Sequence, residues 1–317
     1  MEDNRRALLA RLSEMLEREG FRASDPELKG LVSFDMLARR DDGGYVVKVL
    51  YNVDTLRRDA SEELLTIGNL TESAAIVIGE RSSGGTLEDG LVYFRHGVPI
   101  MTLQTFEDYV RGIKPFVFSG PGGYYVSIDG REMRRIREKR GLSIGSVSSS
   151  VGISRRSVSL YENGSAVTID VFLKLQELLP GDLRKGIDIQ TMSLSYSSQP
   201  RAEHVNDQFL ESILSLMGTA GYDATLLKRS PFEAMARNAL RSLIFMAFPQ
   251  SVEAEVMRAR SIMKIAEFME EEALLVSRRV TDKEVMAGCP VTNINEFIEF
   301  CEKGELQSLI EKKKNLA

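Results

Sequence analysis

The stretch REMRRIREKRGLSIGSVSSSVGISRRSVSLYENG, residues 131–164, decides the predicted fold of the middle of the chain. Its apolar residues recur every three or four positions, as on one face of a helix, and Gly141 and Gly152 interrupt them. Ser143 and Ser154 stand directly before apolar groups, where helix N-caps are expected. The pattern predicts three short helices followed by a fourth, with a tight glycine turn between the second and the third.

Positive charge is concentrated in the same region. Between Asp129 and Leu160, eight Lys or Arg residues stand against three Asp or Glu residues, so this segment carries +5 although the whole chain carries −5. Acidic flanks around a basic middle are typical of a local nucleic-acid-binding surface. Val158 and Tyr161 can pack inward from the third helix. The side chains left around its outer side and leading turn are Arg155, Arg156, Ser157, Ser159 and Leu160.

Residues 131–179 resemble the lambda-repressor/Cro family of helix-turn-helix domains in the order and spacing of Gly141-Leu-Ser143, Val151-Gly-Ile-Ser154 and Tyr161-Glu-Asn-Gly164. The resemblance implies that the helix after the second motif is the recognition helix, which enters the major groove of DNA. Ile144 departs from the family pattern, because a glutamine usually begins the second helix there. The predicted DNA-contacting residues are Ser143, Ile144, Ser154, Arg155, Arg156, Ser157, Ser159, Leu160 and Asn163.

The two flanks of this region are similar to each other. Phe34-Asp-Met-Leu-Ala-Arg39 aligns with Phe232-Glu-Ala-Met-Ala-Arg237, and at the same spacing Ala75-Ile-Val-Ile78 aligns with Ala273-Leu-Leu-Val276. In each flank the pattern predicts an amphipathic helix, two strands, a second helix and a further strand, which is typical of an α/β domain. Chance similarity of two α/β domains is the alternative, but the shared order and spacing favour a duplication.

Asp35 and Lys48 of the first flank resemble part of the restriction-endonuclease-like pattern, an acidic residue followed on the next strand by acidic-x-Lys. The second acidic position is Val46 in this chain. The matching residues of the second flank are Glu233, Ile244 and Met246. Because two carboxylates hold the magnesium ion of such nucleases, neither flank is expected to cut DNA. A solvated cross-strand ion pair of little energetic weight is the other interpretation of Asp35 and Lys48.

The remaining composition excludes several classes of function. Two histidines and two cysteines, Cys289 and Cys301, are too few for most histidine-based catalytic sites, zinc sites or disulfide frameworks. No apolar stretch has the length of a membrane span, and the first residues lack the apolar core of a secretory signal. A cytoplasmic protein that does not associate with membranes is therefore expected, with no cofactor, no metal and no enzymatic activity.

The predicted fold is a multidomain one, with inactive restriction-endonuclease-like α/β flanks around a central all-α, lambda-repressor-like helix-turn-helix. The predicted segments are an α/β domain at 1–112, a β-hairpin connector at 113–128, the helix-turn-helix domain at 129–189, a flexible serine-rich linker at 190–204, and a second α/β domain at 205–317 that is a diverged copy of the first. This layout resembles an archaeal family of helix-turn-helix transcriptional regulators.

Together these features predict a sequence-specific transcriptional regulator that binds double-stranded DNA. We expect a homodimer, because two half-sites multiply affinity and specificity and because the outer domains offer surfaces for pairing. An unidentified small-molecule or protein effector is left open. Two alternatives are a DNA-targeted nuclease, which the missing carboxylate disfavours, and an adaptor that uses the helical domain for protein contacts.

Overall fold

The computed structural model describes residues 2–25, 32–195, 207–279 and 283–315. The chain divides into two compact units. The first unit comprises Met1–Ala23, Ala38–Ser61 and Ala74–Tyr196. The second unit comprises Ser24–Leu37, Glu62–Ser73 and Ser197–Ala317. Two short segments of the N-terminal third therefore belong to the second unit.

The N-terminal third alternates helices and strands. Its elements are α1 (Glu2–Arg18), β1 (Arg22–Ala23), β2 (Met36–Arg40), β3 (Gly43–Asn52), α2 (Arg58–Leu70), β4 (Ala74–Ser82), β5 (Gly85–Thr86), β6 (Leu91–Arg95), β7 (Val98–Met101) and α3 (Leu103–Val110). A tight turn separates β2 from β3, and Gly43 has a φ of 150° there. β4 pairs in parallel with both β3 and β7, and its first six residues are buried, as is usual for a central strand.

The middle of the chain is mainly helical. Its elements are β8 (Val117–Gly120), β9 (Gly123–Val126), α4 (Gly130–Lys139), α5 (Ile144–Val151), α6 (Arg155–Glu162), β10 (Val167–Thr168), α7 (Ile169–Leu178) and α8 (Ile189–Ser195). The predicted hairpin and all four predicted helices are present. Their shared core contains Met133, Val147, Val158 and Leu175, each fully buried. These contacts hold α4 to α7 together as one small domain.

The helical domain continues the sheet of the N-terminal third. The strand order of this ten-stranded sheet is β1-β2-β3-β4-β7-β6-β8-β9-β10, with β5 beside β4. β8 pairs in parallel with β6, opposite Leu91 and Val92, and β10 pairs with β9. Where the chain leaves the helices, the amide of Ile189 donates to the hydroxyl oxygen of Tyr109 in α3 at 3.2 Å. The helical domain is therefore hydrogen-bonded into the α/β structure at both its entry and its exit.

The serine-rich segment 190–204, predicted as a flexible linker, begins as a helix. α8 packs against β4 and β7, and Ile189 is fully buried. The side chain of Gln190 lies so close to Gly43 that a β-carbon there would overlap its amide. Composition favoured a linker because serine is common in this segment, but Ile189 and the Gln190 contact hold the first turn of α8 on the sheet. Residues 196–204 of the predicted linker lie outside the described residues.

The C-terminal part of the chain forms a second sheet. Its elements are α9 (Gln208–Thr219), β11 (Tyr222–Leu226), β12 (Ala234–Asn238), β13 (Leu243–Ala247), α10 (Val252–Met269), β14 (Glu272–Ser277), β15 (Val285–Met286), β16 (Cys289–Asn293), α11 (Ile294–Glu302) and α12 (Leu306–Lys314). The strand order is β11-β12-β13-β14-β16-β15, with β13–β14 and β14–β16 parallel. The order β1-β2-β3-β4-β7-β6 of the first sheet is the same, and β3–β4 and β4–β7 are likewise parallel.

Candidate nucleic-acid interface

α5 and α6 form a helix-turn-helix whose ends are fixed by short polar contacts. The hydroxyl of Ser143 accepts a hydrogen bond from the amide of Ser146 at 3.0 Å, and that of Ser154 accepts one from Ser157 at 3.0 Å. Between the helices Gly152 adopts a left-handed conformation with φ 78°, which a residue with a β-carbon would adopt only with strain. The predicted caps and the predicted glycine turn are therefore present.

One face of α6 is committed to the core of the helical domain. Val158 is fully buried in the shared core, on a helix that contacts α4 and α5, and Tyr161 is half-buried at the edge of the same core. The opposite face is open to solvent. Arg155 and Arg156 are exposed, and Leu160 is 46% exposed. α6 therefore presents two guanidinium groups and one apolar side chain outward.

Neither guanidinium is used inside the part of the chain that the structure describes. No hydrogen bond or ion pair with another described residue involves the side chain of Arg155 or of Arg156. All five N–H donors of each group thus remain available for a ligand. Both arginines lie in the first turn of α6, where the helix dipole and free backbone amides also favour an anion.

The other predicted contact residues differ in how much of their side chain is available. Ser143 and Ser154 are exposed but act as N-caps, whereas Ser157 and Ser159 are half-buried. The hydroxyl of Ser159 donates to the carbonyl oxygen of Arg155 at 3.2 Å. Two further predicted contacts lie at the ends of α5 and α6: Ile144, partly buried against the core, and the exposed Asn163.

A buried ion pair fixes the end of α6 to α4. Both carboxylate oxygens of Glu162 accept from Arg137, with distances of 2.5 Å to Nε and 3.1 Å to Nη2. Arg134 adds a hydrogen bond of 3.0 Å from its Nε. Burial alone would raise the pKa of Glu162, but the hydrogen bonds from Arg137 and Arg134 outweigh it and hold the pKa below its ordinary value. The carboxylate is therefore ionised and ties α6 to α4.

This pair also changes the distribution of charge that the sequence predicts. Arg137 counts among the eight basic residues of the segment, yet its side chain is only 9% exposed and points to Glu162. Arg135 is exposed but is paired with Glu132. Arg137 therefore belongs to the interior, not to the basic surface, and the surface charge is smaller than the residue count suggests. Sequence reasoning missed Glu162, although it stands within the Tyr161-Glu-Asn-Gly164 motif.

The positions that match a nuclease pattern lack the environment of a metal site. Asp35 is fully buried, so the expectation of a solvated ion pair at this residue is wrong. Val46, which stands where the second carboxylate is required, is also fully buried. In the second unit, Glu233 accepts a hydrogen bond from the amide of Phe248 at 3.0 Å and lies 3.2 Å from the guanidinium of Arg258. Glu233 thus already has a cation beside it.

The described residues contain no group of three or more His, Cys, Asp or Glu side chains that could hold a metal ion. The metal site of the restriction-endonuclease-like fold needs carboxylates on two adjacent strands. Val46 in the first sheet and Ile244 in the second stand at the position of the second carboxylate, and both are buried apolar residues. Met246, also buried and apolar, stands at the position of the lysine. The residues present therefore do not fit a magnesium ion.

No helix in the described ranges is both long and apolar enough to cross a bilayer.

Comparisons with known proteins agree with this architecture. Residues 5–115 match the family model of the PD-(D/E)XK superfamily domain, and residues 133–185 match the family model of the helix-turn-helix. These two matches define the class as a helix-turn-helix protein with a nuclease-like α/β domain, which confirms the predicted fold class. No solved structure matches the chain.

Similar proteins come from several archaea, and their names describe HTH-type transcriptional regulatory proteins. The protein of Picrophilus torridus is 42% identical over 98% of both chains, and that of Thermoplasma acidophilum is 42% identical over 99% of both. The protein of Methanocaldococcus jannaschii is 30% identical over 92% of both. The chain belongs to this archaeal family of HTH-type transcriptional regulatory proteins, as its layout predicts.

Proposed function

We propose that this chain is a sequence-specific regulator of transcription that reads double-stranded DNA with α6. The observation that carries the proposal is the outward, unpaired state of Arg155 and Arg156 in the first turn of that helix, within the described part of the chain. A guanidinium group can bridge two phosphate oxygens or the O6 and N7 atoms of guanine. The proposed contacts are Ser143, Ile144, Ser154, Arg155, Arg156, Ser157, Ser159, Leu160 and Asn163.

These residues differ in the contacts they can make. The exposed hydroxyls of the two N-caps, Ser143 and Ser154, lie beside free amides and suit phosphate oxygens. Leu160 offers an apolar surface to a thymine methyl group. Ile144 can contribute only the part of its side chain that the core leaves uncovered. The contacts that specify sequence are therefore expected chiefly from the two arginines.

The test begins with genome-wide mapping of the DNA fragments that the full chain binds, followed by affinity measurements on the strongest fragment. Replacing Arg155 or Arg156 with alanine should weaken binding by about 1–3 kcal/mol for each arginine that reads a base. Arg18→Ala is the matched control, since Arg18 is exposed on α1 and should leave affinity unchanged. Unchanged affinity in both variants of α6 would overturn the proposal.

We further propose that the regulator acts as a homodimer in the cytoplasm, where it meets its DNA, and that the outer domains supply the pairing surface. Helix-turn-helix domains commonly bind DNA in pairs on one face of the duplex, and each domain of the pair contacts one half-site. A dimer with two-fold symmetry provides this arrangement. The proposed domains keep the bounds that the sequence predicts, except that α8 occupies the first residues of the predicted linker. We propose that 205–317 is a diverged copy of 1–112, and the shared strand order supports this duplication. Sedimentation of the full chain should give twice the monomer mass, and a monomer at micromolar concentration would contradict the dimer.

Nuclease activity is the second candidate, because residues 5–115 match the PD-(D/E)XK family model. We propose that this domain is not catalytic, since Val46 replaces the second carboxylate. The same holds for the C-terminal copy, where Ile244 stands at the matching position and Glu233 lies beside Arg258. Supercoiled plasmid incubated with the full chain and magnesium or manganese should remain intact. Nicking that Asp35→Asn abolishes would establish the nuclease instead.

A further inference from the structure

α8 occupies the place in the first sheet that α12 occupies in the second. In the C-terminal part, α12 follows α11 closely and packs against β14 and β16. In the N-terminal part, α8 packs against β4 and β7, which hold the same places in the strand order. Ile189-Gln-Thr-Met192 of α8 aligns with Leu306-Gln-Ser-Leu309 of α12, and the first residue of each is buried. α8 therefore completes the first α/β domain, although the whole helical domain lies between α3 and α8.

Where the chain enters the helical domain, β9 contacts that domain with one face and the α/β domain with the other. Val126 is buried in the core that α4 to α7 share. On the opposite face the ring of Tyr125 stacks on Phe118, with 5.8 Å between the ring centroids, and Phe118 meets Phe94 of β6 edge-on at 6.1 Å. A β-carbon at Gly120 would be 2.8 Å from the Tyr125 ring, so this ring lies against the glycine backbone. The three rings, which we call the aromatic ladder, therefore join the entry strand to β6.

Where the chain leaves the helical domain, contacts hold it as far as α8. Leu183 is buried in the core of the helical domain, and Ile189 is buried on the first sheet. Between them, the amide of Ile187 donates to the carbonyl oxygen of Pro115 at 2.7 Å, which holds the exit against the entry. The amide of Ile189 donates to the hydroxyl oxygen of Tyr109 at 3.2 Å. Both connections are therefore fixed by packing and hydrogen bonds.

We propose that these two connections form a rigid mount, which fixes the direction of α6 and makes the homodimer accept one separation of half-sites. The inference rests on the proposed function and on the pairing of the outer domains. One base pair moves a half-site by about 3.4 Å along the duplex and turns it by about 35°. A helical domain on a rigid mount cannot follow such a change, whereas one on a loose connection can turn toward the displaced half-site. The mount therefore adds specificity that no contact with a base supplies.

The first test measures affinity for duplexes in which the two half-sites of the strongest mapped fragment are moved in steps of one base pair. A shift of one or two base pairs should reduce the affinity of the wild-type chain by about 10-fold or more. Ile189→Asn puts a polar side chain into an apolar site and should release α8 from the sheet. The differences among separations should then fall to about 3-fold or less. Thr191→Asn is the control, since Thr191 is exposed on the same helix and should keep the wild-type dependence.

Two further variants test the entry and the exit separately. Phe118→Ala removes the middle ring of the aromatic ladder and should also weaken the dependence on separation. Tyr124→Ala is its control, because Tyr124 is 38% exposed and lies on the opposite face of the hairpin. At the exit, about six Gly and Ser residues inserted between Gly186 and Ile187 should loosen the mount while every packed side chain is kept. Unchanged hydrogen exchange of α4 to α7 distinguishes a loosened mount from an unfolded helical domain.

Spin labels test the mount without DNA. Both native cysteines are buried, so labels should attach only at introduced cysteines. Ala10→Cys and Ser150→Cys provide exposed positions in α1 and α5. Electron paramagnetic resonance of the doubly labelled chain, diluted with unlabelled chain, should give one narrow distribution of label distances. Adding Ile189→Asn should broaden it, and adding Thr191→Asn should not.

Two kinds of failure can be told apart. A wild-type chain that binds no defined sequence refutes the proposed function and this inference with it. Equal affinity of the wild-type chain for several separations, or a broad distance distribution without DNA, refutes the rigid mount alone. Equal effects of Ile189→Asn and Thr191→Asn on the dependence on separation would also contradict the mount.

Discussion

Replacing Glu162 with alanine should destabilise the helix-turn-helix more than removal of any exposed charge on it. The Glu162 side chain is fully buried, and that of Arg137 is 9% exposed. Without the carboxylate, the buried guanidinium of Arg137 retains only the carbonyl oxygen of Leu142 and the exposed Glu138 as neighbours among the described residues. Removing one partner of a buried ion pair costs about 3–5 kcal/mol. Arg134 is 52% exposed, so Arg134→Ala should cost less than about 1 kcal/mol.

The suitable assay is hydrogen exchange of the full chain, followed by mass spectrometry of peptides from α4 and α6. Local opening energies are needed because a chain with several domains does not unfold in one step. Glu162→Ala should lower protection of both helices far more than Arg134→Ala does. The double variant Arg137→Met with Glu162→Leu should recover most of the protection, because no buried charge is left unpaired. Equal decreases in Glu162→Ala and Arg134→Ala would refute the reasoning.

The same pair predicts how stability depends on pH. The pKa of Glu162 is lower in the folded chain than its ordinary value, because hydrogen bonds from Arg137 and Arg134 outweigh the effect of burial. The contribution of the pair is therefore fully present above the pKa of the unfolded chain and is lost as the pH falls through the folded value. Protection of α4 and α6 should decrease on acidification, and much less so in the double variant that lacks both charges.

Other substitutions probe the remaining structure. Gly130→Ala places a β-carbon against the carbonyl oxygens of the last turn of α6. The free energy of local opening of the helical domain should therefore fall by more than about 2 kcal/mol in the same exchange assay. Protection equal to that of the wild-type chain would contradict this overlap. Lys313→Met removes a buried cation 2.9 Å from Glu296 and should reduce protection of α12 by about 1–3 kcal/mol. Burial raises the pKa of Cys289 and of Cys301 to about 12, so neither thiol should react with a thiol reagent until the chain is denatured; rapid labelling of the native chain would disprove their burial.

Local signals in the sequence were sufficient for the helix-turn-helix itself. Serine caps and glycine turns depend on residues within three or four positions of one another, so Ser143, Gly152 and Ser154 could be assigned without tertiary information. The inward position of Val158 followed from helical periodicity in the same way. The fold class and the family resemblance rest on these local patterns and are both confirmed.

Non-local contacts were the part that sequence could not supply. Counting charges treated Arg137 as a surface residue, because its partner Glu162 is 25 positions away and a count does not report burial. The guanidinium of Arg155 lies close to Gly145 of α5, and this proximity likewise depends on the angle between two helices. The pairing of β8 with β6 joins strands that the sequence assigned to different segments. Such contacts between distant residues determine where the site lies and how it is oriented. The predicted DNA contacts themselves remain a proposal.

The double attachment of the helical domain determines where this protein can be recombined. A chimera that transplants only 129–189 would separate β10 from its partner strand β9 and would leave all of α8 except Ile189 behind in the original chain. A transplantable reading module therefore extends from the hairpin at 113 through α8 at 195, and the recipient must offer an edge strand equivalent to β6. Modules joined by flexible tethers can be exchanged at the tether, but this one can be exchanged only together with its anchoring strands.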